Sequence, residues 1–174
     1  MGFTPRTETL LTRADEICSH RGARLTDLRR QVLGLILDAT QPTGAYELLD
    51  QLKTTRHGAA PPTVYRALDF LLEQGLIHRL ERLSAFVGCI VHDEHEHGTH
   101  EHKAQHGAHE HGPHEHGAQF LICRTCGRAT EIDDHGLAHA LEQAAQRLGF
   151  TVDKATIEAE GQCAACASSI KGVA

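Results

Sequence analysis

Two Cys-x-x-Cys pairs, Cys123/Cys126 and Cys163/Cys166, constrain this 174-residue chain more than any other feature. A two-residue spacer lets both sulfurs of a pair reach the same ion, and two pairs fill the corners of a tetrahedral thiolate site of the kind zinc occupies. The competing reading is a pair of redox dithiols, but the strand-then-helix setting that such dithiols favour is missing around both. With sulfur at every corner the site keeps no open position for a reacting water, so it is expected to staple a fold and not to catalyse. A zinc hydrolase, which needs a water-bearing metal beside a general base, is disfavoured on the same ground.

A staple is useful here, because 174 residues make one ordinary domain or two small ones, and small domains bury too little surface to be secure by packing alone. Hydrophobic residues are 40% of the chain but aromatics only 4%, with no Trp, which predicts a core of Leu, Ile, Val and Ala. No apolar run is long enough to span a bilayer, and residues 1–12 lack a basic stretch followed by an apolar one. The expectation is a cytoplasmic protein with no membrane partner, in a reducing compartment that favours metal-bound thiolates over disulfides. The formal net charge of −6 looks wrong for a nucleic-acid binder until the chain is divided at Arg82. Residues 1–82 hold eleven Lys/Arg against ten Asp/Glu and residues 83–174 six against thirteen, or +1 against −7. Any phosphate contact therefore belongs to the N-terminal half.

Along that half, Leu10, Leu11, Ala14, Ile17 and Cys18 fall at helical spacing over Thr7–His20, closed by Gly22. Thr26 is placed to cap a second helix to about Ala39, with Leu28, Val32, Leu33, Leu35 and Ile36 as its stripe, before Gln41-Pro-Thr-Gly44 breaks it. A short third helix is predicted over Ala45–Leu52. A fourth runs from Pro62 to Gln74, turning Val64, Leu68, Leu71 and Leu72 inward and Thr63, Tyr65, Arg66 and Asp69 outward. Leu76–Arg82 and Ala85–Ile90 read as strands around a turn near Leu83-Ser84. Helices followed by such a hairpin predict a winged helix-turn-helix, whose last helix enters the major groove of DNA.

Residues 92–116 carry ten of the fifteen histidines among Glu and Gly, a low-complexity segment. Beyond it Phe120–Ile122 and Thr130–Ile132 read as strands flanking the first knuckle, His135–Leu148 as a helix ended by Gly149, and Phe150–Ala159 as a last strand. The predicted class is α+β. A winged helix-turn-helix DNA-binding domain covers 1–84, a hinge and histidine-rich loop 85–119, and an α/β domain with the structural zinc 120–174.

A second, mixed metal site is suggested by His78 and Cys89 on the predicted wing and Glu131 just past the first knuckle. Singly these are ordinary residues, a solvated His and a small buried Cys; beside a histidine-rich segment they become candidate ligands together. Cys18, in an apolar stripe, is assigned to the core. The face of Thr63, Tyr65 and Arg66 is either a solvated surface or a reading surface on which Arg66 forks to guanine O6 and N7, and periodicity favours neither. The histidines are either a solvated tether or a set of extra zinc sites. A zinc store or metallochaperone would also show knuckles and histidines, but has no need of a Tyr65-Arg66 helix backed by a wing.

Three stretches carry a family resemblance: Pro61-Pro-Thr-Val-Tyr-Arg-Ala-Leu-Asp-Phe-Leu-Leu-Glu-Gln-Gly75, Phe120-Leu-Ile-Cys-Arg-Thr-Cys-Gly127 and Ile157-Glu-Ala-Glu-Gly-Gln-Cys-Ala-Ala-Cys166. Together they closely resemble the zinc-uptake branch of the ferric uptake regulator family, from Arg24-Leu-Thr26 to Cys166, with the histidine-rich insert as the departure. The resemblance implies a homodimer with C-terminal dimerisation domains. It also implies binding of a palindromic double-stranded DNA operator when zinc is loaded, chiefly to repress zinc-uptake genes. About two zinc ions per subunit follow, with room for more on the insert. The regulatory ion would be held by His78, Cys89, Glu131 and the histidine seven residues before the first knuckle cysteine, which is His116; the insert leaves His114, His111 and His92 as alternatives. Tyr46 and Arg66 would lie against DNA, with Arg66 reading a purine. Iron- or peroxide-responsive members share the fold but favour His, Asp and Glu ligands, so the soft thiolate of Cys89 suits zinc.

Overall fold

The computed structural model of the chain describes residues 2–89 and 117–170. Helix α1 (Pro5–His20) starts two residues before its apolar stripe predicts, because the Thr4 hydroxyl accepts the Thr7 N–H at 3.3 Å and Pro5 suits the first turn. Helix α2 (Asp27–Asp38) follows Thr26, which occupies the capping position through its carbonyl, accepting the Arg30 N–H at 2.8 Å, and makes no side-chain cap. The broken segment after it supplies strand β1 (Thr43–Gly44), then helices α3 (Ala45–Lys53) and α4 (Pro61–Glu73). Leu11, Ala14, Cys18, Val32, Leu33, Leu48, Leu52 and Leu71 have no exposed surface and form one core from all four helices. Each of these leucine and valine side chains contributes about 1.5–3 kcal/mol of transfer free energy. Cys18 lies in that core as expected, and burial pushes its thiol pKa up.

Gly75 ends α4 because its φ of 66° is open to a residue without Cβ, which lets Gly75 N–H reach the Leu72 carbonyl at 3.0 Å and Leu76 N–H the Leu71 carbonyl at 2.9 Å. The chain then leaves as a hairpin of β2 (Ile77–Leu80) and β3 (Ala85–Gly88), with β3 at the centre of a sheet ordered β1-β3-β2. A division at residue 84 would cut this hairpin at its turn, so the winged unit is continuous through Gly88.

The second sheet is ordered β5-β4-β6, with β4 (Ala118–Cys123) antiparallel to β5 (Ala129–Ile132) and parallel to β6 (Thr156–Gly161). A parallel neighbour requires a crossover, and α5 (His135–Arg147) provides it. The last strand thus runs over 156–161 and not from Phe150, whose N–H is spent closing α5 on the Ala145 carbonyl at 2.9 Å; pairing with β4 then carries the strand to Gly161. A short helix α6 (Ala164–Ile170), not anticipated because its Ala/Ser sequence has no apolar period, opens directly from the second knuckle, so that Cys163/Cys166 does lie where a strand passes into a helix, contrary to the expectation for both pairs.

Strand alternation joins the halves. Ala118, Phe120 and Ile122 share one face of β4, and they pack with Ala129 against Leu80 and Val87 of the hairpin. Residues 80 and 87 also share a face, as the pairs Leu80↔Ala85 and His78↔Val87 require.

Candidate metal centres and nucleic-acid surface

Cys123 closes β4 and Cys126 sits in the tight turn after it, where Gly127, at φ 71°, returns its N–H to the Cys123 carbonyl at 2.8 Å. Arg124 N–H donates to the Gly161 carbonyl at 2.9 Å, binding this knuckle to the end of β6 and so to Cys163. All four sulfurs lie within 4.8 Å of one another. The Cys126–Cys163 sulfur separation is 3.9 Å, close to the edge of about 3.8 Å for a tetrahedron of ~2.3 Å zinc–sulfur bonds. The amides of Cys163 and then Cys126 point at Cys123 and hold its thiol pKa down to about 5, while sulfur contacts from Cys163 and Cys126 push Cys166 up to about 12. The two directions belong to one quartet: the first thiolate forms readily, and the last is resisted by the charge already there. A central dication removes that resistance, so the donor set fits zinc.

The second cluster forms across the joint. His78 projects from β2, Cys89 follows β3 with its N–H on the Leu76 carbonyl at 3.0 Å, and Glu131 projects from β5. Hairpin register puts residues 78, 87 and 89 on one face, and pairing of Glu131 with Phe120 aims it back at them. His78 Nε2 lies against Cys89 Sγ and 3.7 Å from Glu131 Oε1, and the three ligand atoms fall within 4.8 Å of one another. Burial, and then the charge of Lys154, depress the His78 pKa, leaving the neutral imidazole a metal requires. Burial, then the Glu131 charge, push the Cys89 thiol up to about 12, with Lys154 opposing. Phe120 meets the His78 ring edge-on at a centroid distance of 5.4 Å and fixes its orientation. Neither Phe120 nor Lys154 stands out in the sequence as a site residue, since one reads as a strand apolar and the other as a loop cation. His116 and its alternatives His92, His111 and His114 lie outside the described residues.

On the winged half, α4 buries Val64, Ala67, Leu68 and Leu71, which leaves Tyr65 and Arg66 exposed and Thr63 half-buried. Tyr46, at the start of α3, is 70% exposed.

The profile of the ferric uptake regulator family matches residues 20–160. A zinc uptake regulation protein of Escherichia coli K12 is 38% identical over 160 residues, which cover 92% of this chain and 82% of that one. The chain belongs to the ferric uptake regulator family. Among solved structures of this family, a zinc uptake regulator complexed with zinc and DNA superimposes with a TM-score of 0.78 at 36% identity, covering 95% of this chain and 97% of its own. The holo form of XcZur gives 0.71 at 40% identity, over 92% and 98% of the two chains. The α+β, winged-helix architecture is therefore that of the ferric uptake regulator family. No described helix of this member is long and apolar enough to cross a membrane.

Proposed function

We propose that this chain is a zinc-responsive transcriptional regulator, chiefly a repressor of zinc-uptake genes, that binds a palindromic operator in the cytoplasm as a homodimer with about two zinc ions per subunit. The observation that carries the reading is the convergence of His78 and Cys89 from the wing with Glu131 from the C-terminal sheet. Likeness to a zinc uptake regulator complexed with zinc and DNA supports it. In this reading Cys123, Cys126, Cys163 and Cys166 hold a structural ion, and His78, Cys89, Glu131 and His116 the regulatory one. Bound there, zinc supplies a fixed junction between wing and sheet. The residues around it do the rest: Leu80 on Phe120 and Ile122 acts as the pivot, and Phe120 keeps the His78 ring in place. The joint then sets the spacing of the two recognition helices in the dimer, a population shift in which metal and DNA each tighten the other by about 1–3 kcal/mol. Leu121, Leu137, Leu148 and Phe150, left exposed by β4, α5 and the turn beyond it, supply apolar surface for the partner subunit.

Tyr46, Thr63, Tyr65 and Arg66 meet the operator, with Arg66 reading a purine in the major groove. A mobility shift on an AT-rich palindrome tests this: retardation with zinc, and none with chelator or with iron. Binding indifferent to all three conditions overturns the sensor reading. In the same assay Arg66→Ala should lose roughly 1–3 kcal/mol and relax base preference at one position, and an unchanged preference would remove Arg66 from that role.

The pKa directions at the regulatory cluster set a proton count. With the Cys89 thiol at about 12 and the His78 pKa below its ordinary value, Cys89 is protonated and His78 neutral at pH 7–8. Filling the site must displace about one proton, from Cys89, so apparent affinity should rise about tenfold per pH unit across that interval. Calorimetry in buffers of different ionisation enthalpy measures the count directly. A value of zero would mean that Cys89 is not a ligand.

A further inference from the structure

The wing is fastened to the C-terminal sheet a second time, away from the metal ligands. At the tip of the β2–β3 hairpin the backbone N–H groups of Glu81 and Arg82 both donate to one carboxylate, that of Glu158 on β6, at 2.7 Å to Oε1 and 3.2 Å to Oε2. The Arg82 guanidinium pairs with Glu160, two residues along the same strand and hence on the same face. Ser84, at φ 49°, tightens the turn by returning its N–H to the Glu81 carbonyl at 3.2 Å, which leaves the two amides side by side as a seat for an anion. The Arg82–Glu160 pair is solvent-exposed and contributes little. Glu158 is half-buried and carries the contact.

Sheet order gives this contact its meaning. The hairpin lies across β5-β4-β6: His78 meets Glu131 of β5, Leu80 packs with Phe120 and Ile122 of β4, and the tip reaches Glu158 of β6. The apolar contact in the middle permits rocking if only one edge is held. Two held edges stop it. Strand β6 is itself anchored where it runs into the second knuckle, with Gly161 paired to Cys123.

We propose that Glu158 is a positioning residue for the regulatory metal site, holding the hairpin tip on β6 so that the wing rocks only about that fixed edge and His78 and Cys89 stay near Glu131 before a metal arrives. It thereby lowers the ordering cost of closing the site. The proposal rests on the reading of His78, Cys89 and Glu131 as that site. The test uses the full-length dimer with its structural zinc retained. Cobalt(II) is titrated into wild type, Glu158→Gln and Glu158→Ala, following the thiolate-to-cobalt charge-transfer band from Cys89 alongside melting temperature and retained zinc. Cobalt affinity should fall about tenfold in Glu158→Ala and less in Glu158→Gln, which keeps one acceptor oxygen, while melting and retained zinc match wild type. Unshifted titrations in folded variants overturn the proposal. So does loss of retained zinc or of the melting transition in Glu158→Gln, because Glu158 would then be a residue of the fold. A wild-type cobalt band that is absent, or that survives Cys89→Ser, defeats the site reading itself and the proposal with it, so the two failures are distinct.

Discussion

Replacing Cys123 by serine should release the structural zinc and unfold the C-terminal half, leaving a protein that no longer dimerises. Serine keeps the volume but removes a thiolate, and a three-sulfur remainder leaves the ion open to water. The consequence is large because three separate segments converge on the four sulfurs: the end of β4 in Cys123, the turn before β5 in Cys126, and the link from β6 into α6 in Cys163 and Cys166. The apolar cluster around the joint is small, with Leu80, Phe120 and Ile122 as its buried members, so little else replaces the lost constraint. Structural zinc contributes roughly 10–16 kcal/mol of apparent binding energy, as much as the whole stability of an ordinary domain. Metal analysis, circular dichroism and sedimentation of the purified variant check the prediction. A zinc-free Cys123→Ser dimer that melted like wild type would refute the staple.

Cys89→Ser should behave in the opposite way. Its side chain lies at the joint and in neither core, so the fold, the dimer and the structural zinc should survive. Operator affinity, measured at a free zinc concentration that saturates wild type, should fall by roughly 5–150-fold, the range of a coupling of 1–3 kcal/mol. The loss has a definite origin. Without the thiolate, His78 and Glu131 remain from opposite sides of the joint, but serine offers zinc a poor neutral oxygen and the wing regains its freedom about Leu80. Comparing the two cysteine variants by calorimetry separates the roles: if Cys89→Ser unfolded as Cys123→Ser is expected to, the division between a structural and a regulatory ion would be wrong.

Much of this was legible in local pattern. The four N-terminal helices follow from apolar stripes such as Val64, Leu68 and Leu71, and their ends from residues such as Gly75, because helix period and capping are local properties. The errors fall where pairing partners decide. Thr43 and Gly44 read as a helix breaker and become a strand because Phe86 and Ala85 lie opposite them. The last strand starts at Thr156 and not Phe150 because the Phe150 N–H closes α5 on the Ala145 carbonyl and Thr156 is the first residue paired to β4, opposite Ala118.

The two knuckles were determined by the sequence alone: a two-residue spacer lets both sulfurs of a pair reach one ion, and two such pairs fill a tetrahedral site. The His78, Cys89 and Glu131 cluster was half determined, since Cys89 and His78 share a hairpin but Glu131 joins them only through the register of β5 on β4. The Glu158 clasp was decided by tertiary structure entirely. Its partners are backbone amides 76 and 77 residues away, which carry no side-chain signature, and only the order β5-β4-β6 beneath the hairpin brings that carboxylate to them.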